Sequence, residues 1–331
     1  MFNNVIDAWS FLTFSPWMAP QAAFSPRLPE AGHASPAGKA GSFTQLRYDA
    51  EGGSLRYKLY VPRAYAVAEQ PLPLIVMLHG CGQDVDDFAA GTRMNELAER
   101  EGCLVAWPQQ AARANSSNCW NWFEPGHSQR DKGEPELIAG MTRAIMEHHA
   151  VDASRVSIGG LSAGAAMAVV MGRTYPDLFT AVGCHSGLAH GCASDRYGAM
   201  LAMRDGAHAD RWVDVDHGIV APMIVFHGDR DLTVHVENSV CVLRQAIGTH
   251  MARSKHAPKE AELDVVRASG RVKGRAYTRD IYRAGTGQVV IEQWTVHGSG
   301  HAWSGGSRRG SYTEDMGPDA SEEMMRFFLE R

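Results

Sequence analysis

A serine between two glycines is the first candidate for chemistry in this sequence. Residues 160–164 read Gly-Leu-Ser-Ala-Gly, a match to the pattern G-x-S-x-G with Ser162 at its centre. A β-like run precedes the match and a helical Ala/Met/Val segment follows it. In that setting a strand turns sharply into a helix and exposes the serine hydroxyl. Gly/Ser-rich turns also match by chance, so the rest of the chain must decide whether Ser162 is a nucleophile.

Acidic and histidine side chains follow Ser162 in the order that a catalytic triad requires. A serine hydroxyl attacks efficiently only when a base removes its proton and a third group orients that base. On this kind of turn the partners follow in the chain order Ser, Asp, His, each beyond the carboxyl end of a strand. Asp229 and Asp231 follow one predicted strand, and His297 and His301 follow another. The order predicts a triad and leaves both members of each pair as candidates.

A glycine-containing segment earlier in the chain predicts a binding site for the oxyanion of such a reaction. Residues 79–82 read His-Gly-Cys-Gly and come directly after a buried strand. Glycines let backbone N–H groups approach a bound carbonyl without obstruction by side chains. Cys81 N–H and Ala163 N–H are therefore the predicted oxyanion donors.

Composition narrows the classes of protein to which the chain can belong. With 331 residues, of which 44% are hydrophobic and 21% charged, the chain is long enough for a large core and typical of a soluble globular enzyme. A formal net charge of −5 without a basic block argues against a nucleic-acid partner, and no apolar run is long enough to cross a membrane. C-x-x-C and H-E-x-x-H patterns are absent, so we predict neither a metal site nor a cofactor.

The elements that must position these residues alternate between strands and helices from about residue 72 onward. This alternation predicts an α/β fold with a mostly parallel central sheet and helices on both faces. The predicted strands are Phe43–Tyr48, Leu55–Val61, Leu72–Leu78, Cys103–Trp107, the run before Ser162, Ala181–Cys184, Ala221–Phe226, Tyr277–Arg283 and Val289–Val296. The predicted helices are Asp87–Arg100, Pro135–Ala150, the segment after Ser162, Val236–Ala246 and Ser321–Glu330, and residues 255–273 stay unassigned.

One catalytic domain, residues 42–331, is predicted, with no second domain. Residues 1–41 have a short apolar start followed by a stretch rich in Pro, Ala, Gly and Ser, so we expect a poorly structured arm or linker there. Residues 187–220 are irregular and rich in small residues, and we expect a small cap over the site in this segment.

Five sequence blocks together resemble the polyhydroxybutyrate depolymerase family of esterases, which includes feruloyl and acetyl-xylan esterase-like members. The resemblance covers the chain from about Ser42 to its C-terminus, and it implies an α/β-hydrolase fold and a serine esterase. The blocks are residues 79–83 (HGCGQ), 119–123 (CWNWF), 160–167 (GLSAGAAM), 227–231 (HGDRD) and 298–306 (GSGHAWSGG).

Carried over position by position, the resemblance assigns one role to each candidate. It places the nucleophile on Ser162, the acid on Asp231 rather than Asp229, and the base on His301 rather than His297. By the same resemblance, the oxyanion donor that follows His79-Gly80 is the backbone N–H of Cys81, which the glycines also suggest.

The resemblance also implies a disulfide between Cys81 and Cys119. This bond would connect the oxyanion loop, residues 79–82, to the aromatic loop, residues 119–123. A pairing of Cys192 with Cys241 is a weaker prediction, and six reduced thiols in a reducing compartment are the alternative. The resemblance implies a secreted, extracellular enzyme. The start of the chain lacks the basic segment of a secretory signal, so the cytoplasm is the alternative compartment.

The expected function is hydrolysis of short-chain poly(3-hydroxyalkanoate) or its oligomers, with a polyester or small ester as the partner. Trp120, Trp122 and Trp303 are the predicted apolar wall for the acyl chain, and packing in the core is their alternative role. Polymer-degrading members of the family usually carry a secretory signal and often a polymer-adsorbing domain, and this sequence shows neither pattern, so we expect soluble oligomers or small esters as readily as solid polyester. A feruloyl or acetyl-xylan type carbohydrate esterase is the first alternative, and a non-catalytic binding protein with a hydrolase fold is the second. The oligomeric state is left open.

Overall fold

The computed structural model describes residues 41–206, 221–253 and 262–330. The predicted N-terminal arm, apart from Gly41, lies outside the described residues, and so does the second part of the predicted cap, residues 207–220. Within the first part of that cap, residues 187–206 contain a helix, Arg196–Asp205. No helix among the described residues is long and apolar enough to span a bilayer.

In the described part of the chain, ten strands form one sheet in the order β1-β2-β4-β3-β5-β6-β7-β10-β9-β8. The six central strands, β4-β3-β5-β6-β7-β10, are parallel to one another. The antiparallel pair β1 and β2 extends the sheet at one end, and the antiparallel pair β9 and β8 extends it at the other. The strands are β1 Ser42–Ala50, β2 Gly53–Val61, β3 Leu72–Leu78, β4 Leu104–Gln109, β5 Val151–Leu161, β6 Ala181–His185, β7 Met223–Gly228, β8 Leu263–Val272, β9 Arg275–Ala284 and β10 Val289–His297.

Helices cover both faces of the sheet because the central strands are apolar on both sides. One core layer contains Ile138, Met167 and Val242 from α3, α4 and α6, and the other contains Phe88 and Phe327 from α1 and α7. The predicted α/β fold with a mostly parallel sheet and helices on both faces is confirmed. The helices are α1 Val85–Thr92, α2 Met94–Glu101, α3 Gly133–His148, α4 Ala163–Thr174, α5 Arg196–Asp205, α6 Glu237–Arg253 and α7 Ala320–Leu329.

Two segments differ from the predictions. The single helix expected over 87–100 is two helices, because Arg93 between them has φ +57°. Its guanidinium donates to Gly305 O at 3.0 Å and to the Asp319 carboxylate. The unassigned segment 255–273 contains β8, whose side chains are all at least partly exposed, so no alternation of apolar and polar residues marks it as a strand.

The carboxyl ends of the parallel strands bring the candidate residues to one edge of the sheet. β3 ends at Leu78, β5 at Leu161, β7 at Gly228 and β10 at His297. β3 pairs with β5, β6 lies between β5 and β7, and β7 pairs with β10. The loops that follow these four strands therefore meet at the same edge, where α/β folds place their sites.

Candidate active site

Ser162 lies on a sharp turn between β5 and α4, in the conformation of a nucleophile elbow. Its φ of +57° and ψ of −119° are unusual for a residue with a side chain, and its N–H donates to His185 O at 2.9 Å. Both glycines of the motif are required by close packing. A Cβ on Gly160 would lie 2.5 Å from Leu78 O, and a Cβ on Gly164 would overlap the same oxygen. The sequence therefore folds into this turn because the neighbouring strand leaves no room for side chains.

Asp231 and His301 form a buried pair beyond β7 and β10. His301 Nδ1 lies 2.7 Å from Asp231 Oδ2, and the side chain of Asp231 is completely buried while that of His301 is 10% exposed. Asp231 Oδ1 accepts from the backbone N–H groups of Thr233 and Val234 at 2.9 and 2.8 Å. Burial acts to raise the pKa of Asp231. The hydrogen bonds and electrostatic interactions with His227 and His301 outweigh this effect and hold the pKa of Asp231 well below its usual range.

The other two candidates form a second pair, which is more exposed. His297 Nδ1 lies 2.8 Å from Asp229 Oδ2, and the two side chains are 41% and 33% exposed. His297 Nε2 lies 2.9 Å from Thr278 Oγ1, so both ring nitrogens have partners. The structure thus brings together Asp231 with His301 and Asp229 with His297, in the pairing that the resemblance implied for the first two.

His185 connects the turn of Ser162 to the loop of His301. Its carbonyl accepts the Ser162 N–H, and its Nε2 accepts the Ser304 N–H at 3.1 Å. The ring is stacked between Phe226 and Trp303. Burial, together with the nearby rings of His227 and His301, lowers the pKa of His185 to about 3. A neutral ring is what the Ser304 contact requires, since only an unprotonated nitrogen accepts a hydrogen bond.

The predicted oxyanion loop lies against Ser162. A Cβ built on Gly80 would be 3.6 Å from Ser162 Cβ. Within this described loop, hydrogen bonds are donated by Gly80 N to Gln83 Oε1, by Gly82 N to Ser117 O and by Gln83 N to Gly80 O, and Cys81 N donates none of them. Ala163 is the first residue of α4, so its N–H has no helical acceptor. Both N–H groups are thus available, and their role as oxyanion donors stays a prediction.

The disulfide between Cys81 and Cys119 is present, as the resemblance implied, and spans 38 residues. It joins the oxyanion loop to the aromatic loop, residues 119–123. The weaker prediction, a bond between Cys192 and Cys241, is wrong in this structure, because both residues are buried thiols that carry no disulfide. Burial raises the pKa of Cys192 to about 12.

The three tryptophans predicted to line the substrate are buried. Trp120 and Trp303 have no exposed surface; Trp120 Nε1 donates to His79 O at 3.1 Å, and Trp303 Nε1 donates to Ser321 Oγ at 2.9 Å. Trp122 is 5% exposed and packs edge-on against Phe123. This placement favours the packing alternative for Trp120 and Trp303.

A buried carboxylate that the sequence analysis did not single out holds the aromatic loop. Glu134, at the start of α3, accepts from Gln110 Nε2 at 2.5 Å and from Asn121 N and Nδ2 at 2.8 and 2.7 Å. Gln110 in turn donates through its backbone N–H to His79 Nε2 at 3.1 Å. Glu134 thereby connects the aromatic loop to the oxyanion loop. The sequence signal was only an acidic residue before Pro135, which helix starts commonly show.

These residues supply what nucleophilic acyl transfer needs: a hydroxyl on a strained turn, an imidazole oriented by a buried carboxylate, and two available backbone donors. A metal site would need a group of several ligating side chains. Among residues 41–206, 221–253 and 262–330, no three His, Cys, Asp or Glu side chains are grouped as metal ligands would be.

Comparison with known proteins finds esterases. Residues 55–250 match the family model described as Esterase PHB depolymerase. Poly(3-hydroxyalkanoate) depolymerase C of Paucimonas lemoignei is 32% identical over 238 residues, which cover 69% of this chain and 54% of that enzyme. Feruloyl esterase B of Neurospora crassa is 36% identical over 140 residues, which cover 42% of this chain and 46% of that enzyme. The chain thus spans about half the length of these two relatives.

A solved structure supports the fold. The acetyl xylan esterase from Aspergillus awamori superposes with a TM-score of 0.63 at 20% identity, over 88% of this chain and 100% of that one. At this identity the likeness concerns the fold.

Proposed function

The chain belongs to the polyhydroxybutyrate depolymerase family of esterases, and from this we propose that it is a serine esterase that cleaves short-chain poly(3-hydroxyalkanoate) or its oligomers. The similarity to the Paucimonas lemoignei depolymerase supports this substrate class. The proposed catalytic domain is residues 42–331, with residues 187–220 as a cap, and residues 1–41 are proposed to be an arm outside it.

In the proposed mechanism, His301 removes the proton of Ser162 as the hydroxyl oxygen attacks the ester carbonyl. Asp231 orients the imidazole and stabilises its positive charge, while Cys81 N–H and Ala163 N–H hold the oxyanion of the tetrahedral intermediate. The intermediate collapses, His301 protonates the leaving alcohol, and an acyl group remains on Ser162. Water then attacks this acyl-enzyme, with His301 as its base, and releases the acid.

The observation that carries this proposal is the buried contact of 2.7 Å between His301 Nδ1 and Asp231 Oδ2. Because the carboxylate occupies Nδ1, it fixes the tautomer in which Nε2 is the basic nitrogen. In the second pair Thr278 already engages Nε2 of His297. Of these two candidate bases, His301 is therefore the one whose Nε2 is available for the nucleophile.

A second candidate function is a carbohydrate esterase, which the 36% identity to a feruloyl esterase over 140 residues favours. The same catalytic residues would then act on feruloyl or acetyl esters. For either substrate we propose an oxidising compartment outside the cell, because disulfides such as Cys81–Cys119 persist there.

The test compares the wild type with Ser162→Ala, His301→Ala and His297→Ala on p-nitrophenyl butyrate and on a suspension of polyhydroxybutyrate. We expect Ser162→Ala and His301→Ala to lower kcat by at least about a thousandfold, because each removes a member of one catalytic unit. His297→Ala should lower kcat by about tenfold at most, because His297 is not the proposed base.

The outcomes separate the alternatives. Cleavage of the soluble ester without clearing of the polymer would remove the polyester assignment, and feruloyl and acetyl esters would be tested next. Full activity of Ser162→Ala would contradict the mechanism. A wild type that binds esters without cleaving them would support the non-catalytic alternative.

A further inference from the structure

The exposed pair of Asp229 and His297 is not used by the proposed mechanism, yet all its polar groups are engaged. Asp229 Oδ2 accepts from His297 Nδ1 at 2.8 Å, and Oδ1 accepts from Gly298 N at 2.7 Å. Because the carboxylate takes the proton on Nδ1, His297 Nε2 is an acceptor for the Thr278 hydroxyl at 2.9 Å. The pair thus connects β7, β10 and β9 through one chain of hydrogen bonds.

These contacts join the two turns that carry the proposed acid and base. Asp229 N donates to Val296 O at 3.2 Å, and Arg230 N donates to Ser299 O at 2.9 Å. The turns are in close contact, since a Cβ on Gly228 would lie 2.7 Å from Gly300 O. Asp231 lies two residues after Asp229 and His301 four residues after His297, so these contacts lie next to both members of the buried pair.

A second catalytic centre is a poorer interpretation of the same pair. Thr278 pairs with Thr295 within the regular ladder of β9 and β10, and it lies neither on a strained turn nor at a helix N-terminus. The Gly298 N–H that an oxyanion would need is already bound to Asp229. Thr278, His297 and Asp229 are therefore hydrogen-bonded in the order of a catalytic triad, but the Gly298 N–H beside them is not available for an oxyanion.

We propose that Asp229 and His297 are positioning residues that hold Asp231 and His301 in their catalytic geometry. This inference rests on the proposed esterase function. Its basis is that a partly exposed pair and two backbone hydrogen bonds connect the two turns directly, at the point where each leaves its strand. Loss of the pair should let the turns separate without removing any group that touches the substrate.

The experiment measures kcat, KM and the urea midpoint for Asp229→Ala, His297→Ala, the double variant and Asp229→Asn. We expect Asp229→Ala to lower kcat about tenfold with KM within about twofold of the wild type, because small displacements of reacting groups cost rate rather than binding. The double variant should be no slower than Asp229→Ala, since both changes break one connection.

Asp229→Asn is the conservative rescue. The amide oxygen of the new side chain would still accept from Gly298 N–H. In the other ring tautomer, His297 Nε2–H donates to the Thr278 hydroxyl, and His297 Nδ1 accepts a hydrogen bond from the amide N–H of the new side chain. We expect this variant to recover most of kcat. Asp177→Ala is the matched control, because Asp177 forms a partly exposed pair with Arg130 at 2.6 Å and takes no part in the site turns. It should lose a similar amount of stability and keep its kcat.

Two results would overturn the inference: wild-type kcat in Asp229→Ala, or an equal loss of kcat in Asp177→Ala. A loss of kcat that Asp229→Asn does not recover would show that the charge, and not the connection, matters. Failure of the proposed function is a separate result, because an inactive wild type or an active Ser162→Ala would reveal it first.

Discussion

His185 contacts both loops that carry the proposed nucleophile and base. Its backbone carbonyl binds the N–H of Ser162, and its ring accepts the N–H of Ser304, three residues after His301. The Ser304 contact fixes the tautomer, so Nδ1 carries the proton and faces Ser186 Oγ at 3.1 Å. A completely buried ring is thus part of the framework of the site without touching a substrate.

Replacing His185 by Phe keeps the stacking on Phe226 and Trp303 and leaves the buried Ser304 N–H without an acceptor. We expect the free energy of unfolding to fall by about 1 to 3 kcal/mol, the cost of one unsatisfied buried donor. Urea denaturation at pH 7 measures this. His185→Gln, which keeps an acceptor, should lose less, and a Phe variant as stable as the wild type would show that the hydrogen bond contributes nothing.

At the residue scale, the sequence could identify the candidates and could not rank them. Asp229, Asp231, His297 and His301 all follow strands, and the structure shows that all four form Asp–His pairs. Which pair is buried depends on the backbone path of two tight turns, and residue spacing does not encode that path. The family resemblance made the distinction that spacing could not.

At the scale of elements, the loop between β4 and α3 joins the site through a covalent and a polar connection. The disulfide attaches it to Cys81, whose N–H is a proposed oxyanion donor, and Glu134 attaches it to α3. The sequence showed no periodicity over residues 109–135, so the aromatic cluster was visible and its packing was not. Apolar strands such as Leu72–Leu78 were predictable because burial on both faces requires a continuous apolar run.

Replacing both Cys81 and Cys119 by Ser should lower the free energy of unfolding by about 4 kcal/mol, because a cross-link that closes a 38-residue loop restricts the unfolded chain. We also expect kcat to fall, since Cys81 N–H loses its fixed position. Urea denaturation and ester hydrolysis measure the two effects. Dithiothreitol should lower the free energy of unfolding and the kcat of the wild type to the values of the variant, and it should leave both values of the variant unchanged. Unchanged stability of a wild type whose opened disulfide is verified by thiol titration would contradict this.

At the scale of the whole molecule, two buried neutral histidines make stability depend on pH. Burial is the largest cause of both shifts: it lowers the pKa of His185 to about 3 and the pKa of His190 to about 4. In the unfolded chain both titrate near pH 6.5. Between these values the unfolded state binds more protons than the folded state, so stability is fully present above about pH 6.5 and is lost as the pH falls toward 4.

We expect each ring to remove about 1.4 kcal/mol of stability per pH unit within that window. Urea denaturation at pH 7, 6 and 5 gives the slope. His190→Gln should make the slope shallower by one such contribution, because its amide can donate to Ser128 O as His190 Nε2 does at 2.7 Å and does not titrate. An unchanged slope in this variant would show that His190 is not one of the groups responsible.

The order of the strands along the chain also determines when the proposed activity can arise during protein synthesis. Ser162 leaves the ribosome with β5, well before Asp231 and His301 follow β7 and β10. Until β10 pairs with β7 and places His301, the proposed nucleophile has no base, although Asp231 has already been made. On the proposed mechanism, a nascent chain stalled before residue 301 should therefore cleave no ester inside the cell that makes it, whatever part of the sheet has already folded.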